Sequence, residues 1–216
     1  GKVTLPSAGT GRTALLTTAT SSDTEFTGTF SIDKAATNGA QYVNFMPRAV
    51  NSSTAYRVKA YIQTSGVVRL ELSRVVNGTE TTIGTQTTGL TAAAGARNQV
   101  RQPSRGLGAL AGKIWRAGQS EPSAWTIQAT DSAAGLQVAG GIGLYSYLSG
   151  SAANAPVVVT FDDLNAASTA PPVPNQPPVA DFTSSAVDGR VTFTSTSTDS
   201  DGTIARTPGA SAHTIA

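Results

Sequence analysis

Short runs of alternating apolar and polar residues recur through residues 1–166 of the chain. In Phe26–Ile32, Tyr56–Ile62 and Val68–Leu72, every second residue is apolar or glycine. A period of two over five or more residues is the signal of a β-strand with one buried face. The pattern therefore predicts a strand in each run, with an inward apolar row and an outward polar row.

Turn signals separate the predicted strands. The dipeptides Asn38-Gly39 and Asn77-Gly78 favour tight turns because both residue types accept a positive φ. Asn77-Gly78 lies inside Arg74–Ile83, which is predicted to be a hairpin. Further strands are predicted at Lys113–Arg116, Trp125–Thr130, Gly141–Leu148 and Val157–Leu164. Many short strands with regular turns predict an all-β antiparallel sandwich.

Two segments of this body depart from the strand pattern. Residues 101–112, RQPSRGLGALAG, lose the alternation where a strand would be expected, and we interpret them as a loop or an altered stretch. Ala92–Ala94 is an alanine run, but it is short and lies between Gly89 and Gly95. The chain therefore contains no convincing helix.

A proline-rich segment follows the predicted sandwich. Residues 170–180, APPVPNQPPVA, hold five of the 11 prolines. Proline fixes φ and lacks a backbone donor, so such a run is a semi-rigid, extended spacer. The predicted organisation is a sandwich over 1–166, a linker over 167–178 and a short tail over 179–216. Two strands in about 40 residues are too few to bury a core, so we expect a tail that is disordered or ordered only by packing against another domain.

Composition narrows the functional classes. The 216 residues carry 15 Lys and Arg against 13 Asp and Glu, without a basic run, which argues against nucleic-acid binding. The absence of cysteine excludes a disulfide framework, a thiolate metal site and a cysteine nucleophile. No apolar run approaches the roughly 20 residues that span a bilayer, so no membrane insertion is expected. A charged fraction of 13% with abundant Thr, Ser, Gly and Val favours a secreted or cell-surface protein.

Four phrases in the body carry a family resemblance. They are Lys113–Gly118 (KIWRAG), Glu121–Trp125 (EPSAW), Gly140–Leu144 (GGIGL) and Val157–Leu164 (VVVTFDDL). Together they resemble the concanavalin A-like lectin/glucanase β-sandwich, a jelly roll of the LamG-like type. The resemblance implies that this chain starts inside the module, because such modules begin with another strand or two before Val3–Leu5.

The tail resembles a different family. Asn175–Phe182 (NQPPVADF), Val191–Phe193 and Ser197–Ile204 are similar to the opening of an Ig-like polycystic-kidney-disease (PKD) domain. Residues 205–216 lack the Trp-Asp-Phe-Gly-Asp-Gly-like strand that should follow, so the resemblance covers an incomplete module. Both families occur together in large secreted actinobacterial proteins.

A carbohydrate-binding face is one interpretation of the outward rows. Arg57, Lys59 and Tyr61 share one side of their strand, and Tyr145 and Tyr147 share one side of theirs, because positions two apart point the same way. We take Arg57, Tyr61, Tyr145 and Tyr147 as candidate glycan contacts; the alternative is an ordinary solvated sheet face. Trp115 and Trp125 also suit sugar stacking, but the strand pattern favours a core role for both.

Calcium is a second candidate ligand. In sandwiches of this type, an acidic residue at the end of the last strand can join a calcium site, and Asp162 and Asp163 occupy that position here. Carboxylates at a strand end can share Ca²⁺ with backbone carbonyls. The alternative is a solvated pair of carboxylates. No other cofactor is expected.

Catalysis has little support in the sequence. A retaining glycosidase needs two carboxylates about 5 Å apart, and the Glu-x-Asp-x-x-Glu strand motif of glucanases of this fold is missing. His213, the one histidine, lies near the end of the tail, so the sandwich offers none for a triad. The sequence and the resemblance therefore predict a non-catalytic accessory module with polysaccharide or neighbouring domains as partners. The alternatives are an assembly component of a surface fibre or phage particle that uses open strand edges, and a glycan-cleaving enzyme.

Overall fold

The structure is a computed structural model that describes residues 1–106, 108–169, 176–200 and 202–204. The chain divides into two compact units, Gly1–Ala170 and Pro171–Ala216. The predicted linker residues 170–175 and the tail residues 205–216, including His213, lie outside the described part of the chain.

The described residues of the first unit form strands joined by turns and loops. In chain order the strands are β1 (Lys2–Leu5), β2 (Gly11–Ser21), β3 (Thr24–Ile32), β4 (Gln41–Asn51), β5 (Thr54–Ile62), β6 (Val67–Val76), β7 (Thr79–Thr91), β8 (Asn98–Arg105), β9 (Ala109–Arg116), β10 (Ile127–Thr130), β11 (Gly140–Leu148) and β12 (Val157–Ser168). No described residue is helical. Consequently no helix in the described ranges is long and apolar enough to span a membrane.

Two six-stranded sheets build the sandwich. Sheet 1 has the order β1-β12-β3-β8-β9-β10 and sheet 2 the order β2-β11-β4-β5-β6-β7. Every pairing in both sheets is antiparallel. The predicted fold class, an all-β antiparallel jelly-roll sandwich, is confirmed.

Four phenylalanines lie at the centre of the core. The Phe45 ring of sheet 2 meets the Phe26, Phe30 and Phe161 rings of sheet 1, with centroid distances of 5.4, 6.3 and 6.0 Å. All four are buried. Edge-to-face and tilted pairs at these distances suit the ring quadrupoles and fix the spacing of the two sheets.

The predicted hairpin at Asn77-Gly78 is confirmed. β6 and β7 pair from Val76 and Thr79 outward. Asn77 and Gly78 both have positive φ, 50° and 83°, as a type I′ turn requires. Asn38-Gly39 lies instead in the longer connection from β3 to β4, since those strands belong to different sheets.

The interpretation of residues 101–112 as a loop is wrong, because they form most of the β8–β9 hairpin. The usual alternation of apolar inward and polar outward residues is reversed in part of this hairpin, so the sequence does not show it. Gln102 and Ser104 point inward and are fully buried, although both are polar. Pro103 and Ala111, which are apolar, lie in the outward row. The period of two is present in the geometry but not in the hydropathy.

The second unit is described as a hairpin of β13 (Phe182–Val187) and β14 (Arg190–Ser195). Asp188 and Gly189 turn the chain with positive φ. The Phe182 and Phe193 rings meet at 5.5 Å on one face, yet both side chains are exposed. Disorder is therefore wrong for β13 and β14, while the alternative, a tail ordered only by packing against another domain, stays a prediction.

Candidate functional site

The outward face of sheet 2 carries a band of four tyrosines. Tyr42 of β4 stands opposite both Tyr61 of β5 and Tyr147 of β11 in the strand register. The ring centroids are 4.9 Å apart for Tyr42–Tyr61, 5.7 Å for Tyr42–Tyr147 and 6.4 Å for Tyr145–Tyr147. Three adjacent strands thus present one continuous aromatic surface.

Three cations lie against these rings. The Arg57 guanidinium is 4.5 Å from the Tyr145 centroid, Lys59 Nζ is 5.7 Å from the Tyr42 centroid, and the Arg69 guanidinium is 6.0 Å from the Tyr61 centroid. Cations within about 6 Å of an aromatic face are attracted by its quadrupole. We call Tyr42, Arg57, Lys59, Tyr61, Arg69, Tyr145 and Tyr147 the tyrosine face.

Two carboxylates neutralise part of this charge. Lys59 Nζ lies 3.0 Å from both Glu71 Oε2 and Glu80 Oε1, and Arg57 lies 3.7 Å from Glu80. Ser73 Oγ donates a 2.6 Å hydrogen bond to Glu80. Arg69 has no ion-pair partner among the described residues, so it is the cation of the face with its charge uncompensated.

Burial and hydrogen bonding shift the pKa values of three side chains in and beside the face. Burial, with Tyr61 close by, raises the pKa of Tyr42 to about 12, and burial also raises the pKa of Tyr145. Burial alone would raise the pKa of Glu80, but the Ser73 hydrogen bond and the Lys59 charge lower it below the ordinary value. At neutral pH Tyr42 and Tyr145 are therefore neutral hydroxyls and Glu80 is a carboxylate.

Small residues let the rings lie flat on the sheet. The Tyr145 ring crosses β2 at Gly11, where a Cβ would be 2.5 Å from the tyrosine hydroxyl. Next to Tyr145, Met46, Ala49 and Ala55 form an apolar cluster against which Leu15 and Tyr145 pack. Asn44 Nδ2 donates to the Tyr145 carbonyl and holds β4 to β11. The Tyr145 side chain is therefore packed against neighbouring strands and is not fully exposed to solvent.

The structure brings together all four residues predicted as glycan contacts, Arg57, Tyr61, Tyr145 and Tyr147. Tyr42, the residue at the middle of the band, was not among the predicted contacts, because β4 was not among the predicted strands. The alternation of Val43 and Phe45 with Tyr42 and Asn44 was the signal that could have found it.

The two tryptophans lie on sheet 1. Trp115 of β9 is 8% exposed and belongs to the outward row, next to inward Ile114. Trp125 precedes β10, is half-buried and borders a surface cavity. The expected burial is confirmed for Trp115, while Trp125 is not a core residue.

The predicted calcium pair meets a cation of the protein. Arg97 Nη2 lies 3.2 Å from Asp162 Oδ2 and 3.0 Å from Asp163 Oδ2. Thr29 Oγ1 donates a further hydrogen bond to Asp163. The described residues contain no group of three or more His, Cys, Asp or Glu side chains placed to hold a metal ion. Calcium at this pair stays a prediction, and any bound ion would compete with the guanidinium.

Comparisons with known proteins give structural matches alone. No family model matches the chain, and no curated protein sequence matches it. The carbohydrate-binding module CBM66 from Bacillus subtilis is similar with a TM-score of 0.55 and 16% identity, over 76% of this chain and 86% of that one. This likeness shows the fold.

Two further structures are more distant. An alginate lyase from Klebsiella pneumoniae matches with a TM-score of 0.49 and 16% identity, over 68% of this chain and 60% of that one. The CBM2 module of an evolved Dit protein of Lactobacillus casei BL23 phage J-1 matches with a TM-score of 0.45 and 7% identity, over 72% and 69%.

Proposed function

We propose that the first unit is a non-catalytic carbohydrate-binding module whose tyrosine face holds a polysaccharide chain. The observation that carries this proposal is the band of four tyrosines across β5, β4 and β11, each within 6.4 Å of a neighbouring ring. Sugar rings offer apolar C–H faces that stack on aromatic rings, and their hydroxyls need polar partners at the rim. The likeness to a carbohydrate-binding module supports the proposal at the level of the fold.

The cations of the face supply those polar partners. Arg69 is uncompensated, and its planar guanidinium can donate two hydrogen bonds to neighbouring sugar oxygens. Arg57 and Lys59 are held against Tyr145 and Tyr42 by Glu80 and Glu71. Binding would thus meet side chains that are already ordered, which lowers the entropic cost of association.

The context of the module is part of the same proposal. The LamG-like phrases and the PKD-like tail support an accessory module of a secreted or cell-surface protein. In that setting it would hold a neighbouring domain close to its polysaccharide.

Substitution of the band tests the proposal. In affinity electrophoresis with neutral and acidic polysaccharides, we expect retardation by at least one of them. Tyr61→Ala and Tyr147→Ala should each weaken the interaction at least about 10-fold, since each removes one stacking ring. Tyr56→Phe is the matched control because Tyr56 faces the core. The proposal would be contradicted if the wild type showed no retardation at all, or if both alanine variants were retarded as strongly as the wild type.

The enzymatic alternative is tested on the same polysaccharides. A glycan-cleaving enzyme would release new reducing ends or unsaturated products over time. We expect the wild-type protein to release neither above the level of a buffer control.

A further inference from the structure

A second concave surface lies on the outward side of sheet 1, away from the tyrosine face. It is a cavity of about 460 Å³ bordered by Trp125 and by residues of β8, β9 and β10. In the register of these strands, Ala111 stands opposite Gln128, and Ala109 stands between Arg105 and Thr130. The volume is within the usual range for small-molecule sites, about 300–1,000 Å³.

Three outward apolar residues of β8 and β9 line the cavity. Ala109 and Ala111 are consecutive outward positions of β9, and Pro103 lies beside them on β8. Larger side chains at these alternate positions would fill the space above the sheet. Charged side chains lie further along the same rows, with Arg101 and Arg105 on either side of Pro103 in β8 and Lys113 two positions after Ala111 in β9.

Trp125 is fixed before any ligand arrives. Lys113 Nζ lies 4.6 Å from the Trp125 ring centroid and does not border the cavity. The same ammonium group contacts Glu121 at 2.6 Å and donates a 2.8 Å hydrogen bond to the Pro122 carbonyl. Because Lys113 is buried, its attraction to the indole is only weakly screened. One side of the ring is held by this contact, and the indole also borders the open cavity.

Polar side chains stand at the rim. Gln128, Thr130 and Arg105 are exposed and border the cavity. Together they offer amide and hydroxyl groups that both donate and accept, and one guanidinium that has no ion pair within the described residues. Among the described residues, no carboxylate borders the cavity. This mixture suits a ligand with many hydroxyls.

We propose that this cavity is a second carbohydrate site, which takes a neutral pyranose stacked on Trp125. The ring would lie over Ala109 and Ala111, with its hydroxyls toward Gln128, Thr130 and Arg105. The site shares no residue with the tyrosine face, so either site can exist without the other. A chain with sites on both sheets can bridge two polysaccharide strands.

Tryptophan fluorescence isolates the site. In Trp115→Phe, Trp125 is the one remaining tryptophan. We expect cellohexaose, mannohexaose or xylohexaose to shift and quench its emission in a saturable way. Trp125→Phe in the wild-type background should weaken binding of the active sugar at least about 10-fold, and Gln128→Ala about 3-fold, both measured by calorimetry. Thermal melts of each variant check folding, and Gln128→Ala keeps the test open if Trp125→Phe is unstable.

A matched variant separates the two sites. Tyr147→Ala should weaken binding at the tyrosine face at least about 10-fold and leave the Trp125 signal unchanged. If the tyrosine face binds nothing, the fluorescence response should persist. The proposal is overturned if none of the three neutral sugars changes Trp125 emission up to 10 mM, if only an acidic hexasaccharide such as oligogalacturonate does so, or if the Trp125→Phe and Gln128→Ala variants bind as tightly as the wild type.

Discussion

The β5–β6 and β8–β9 hairpins face each other across the sandwich but are built by different rules. In β5–β6 the inward row is apolar throughout its centre, with Val58, Ala60, Leu70 and Leu72 all buried. In β8–β9 the inward row includes Gln102, Ser104 and Gly112. A Cβ at Gly112 would be 2.9 Å from Val58, so the two hairpins meet closely at that point.

The outward rows of the two hairpins also differ in composition. Both hairpins present charges, but the β5–β6 hairpin adds Tyr61, whereas the β8–β9 hairpin adds Pro103 and two alanines that border the same cavity as Trp125. Each row also contains a lysine that links a carboxylate to an aromatic ring: half-buried Lys59 in the first and buried Lys113 in the second. The same arrangement, a lysine against an aromatic ring, therefore orders both candidate sugar surfaces although their strands differ in composition.

The largest expected effect is a difference in stability between substitutions in the two inward rows. Leu70→Ala should lower the free energy of unfolding by about 2–5 kcal/mol, because it removes a fully buried side chain and leaves a cavity. Gln102→Leu should change it by less than about 1 kcal/mol or raise it, since neither amide atom of Gln102 has a hydrogen-bond partner in the described residues. Urea denaturation followed by fluorescence measures both.

Ser104→Ala is the control for this contrast, because its hydroxyl is also buried without a partner. It should be nearly neutral. If Gln102→Leu and Ser104→Ala each cost as much as Leu70→Ala, the β8–β9 interior would depend on polar interactions, and the contrast between the two rows would fail.

The fold was predictable where hydropathy and geometry agree. Tyr56–Ile62 alternates in both, and its strand was predicted. Residues 101–112 alternate in geometry alone, so no hydropathy pattern could find β8 and the start of β9. The exposed aromatic face of β13 and β14 was also unpredictable, since hydrophobic residues are normally expected to mark a buried side.

For the candidate site, the sequence predicted which residues share a face of one strand, but not which strands lie side by side. The period of two placed Arg57 with Tyr61, and Tyr145 with Tyr147. That these pairs meet depends on β4, which lies between β5 and β11 and supplies Tyr42. Strand order in a jelly roll follows from long-range pairing, which a single strand's pattern does not contain.

The next largest expected effect is the loss of stability when Lys59 or Lys113 is replaced. Lys59→Met should lower the free energy of unfolding by about 1–3 kcal/mol, because Glu71 and Glu80 would lose their shared ammonium group. Lys113→Met should cost less, about 0.5–1.5 kcal/mol, since Glu121 is more exposed than Glu71 and keeps Arg101 at 3.2 Å. Chemical denaturation of both variants gives the comparison.

Charge-preserving substitutions sharpen this result. Lys59→Arg and Lys113→Arg should recover most of the lost stability. Lys113→Met should also alter Trp125 emission, whereas Lys59→Met should not. If both methionine variants lost the same stability, or if Lys113→Met lost more, the exposure of the paired carboxylates would not explain how much each lysine contributes.

The smallest expected effect concerns the exposed charges of sheet 1. The Asp162, Asp163 and Arg97 side chains are each more than half exposed, unlike Lys59 and Glu71 of sheet 2. Solvent weakens such pairs, so Arg97→Ala should change stability by less than about 1 kcal/mol. Because the guanidinium occupies the space between the carboxylates, 5 mM Ca²⁺ should raise the Tm of the wild type by at most about 2 °C. The rise should be larger in Arg97→Ala and absent in Asp163→Asn. A calcium shift that disappears in Arg97→Ala would mean that the arginine helps to build the ion site instead of competing for it.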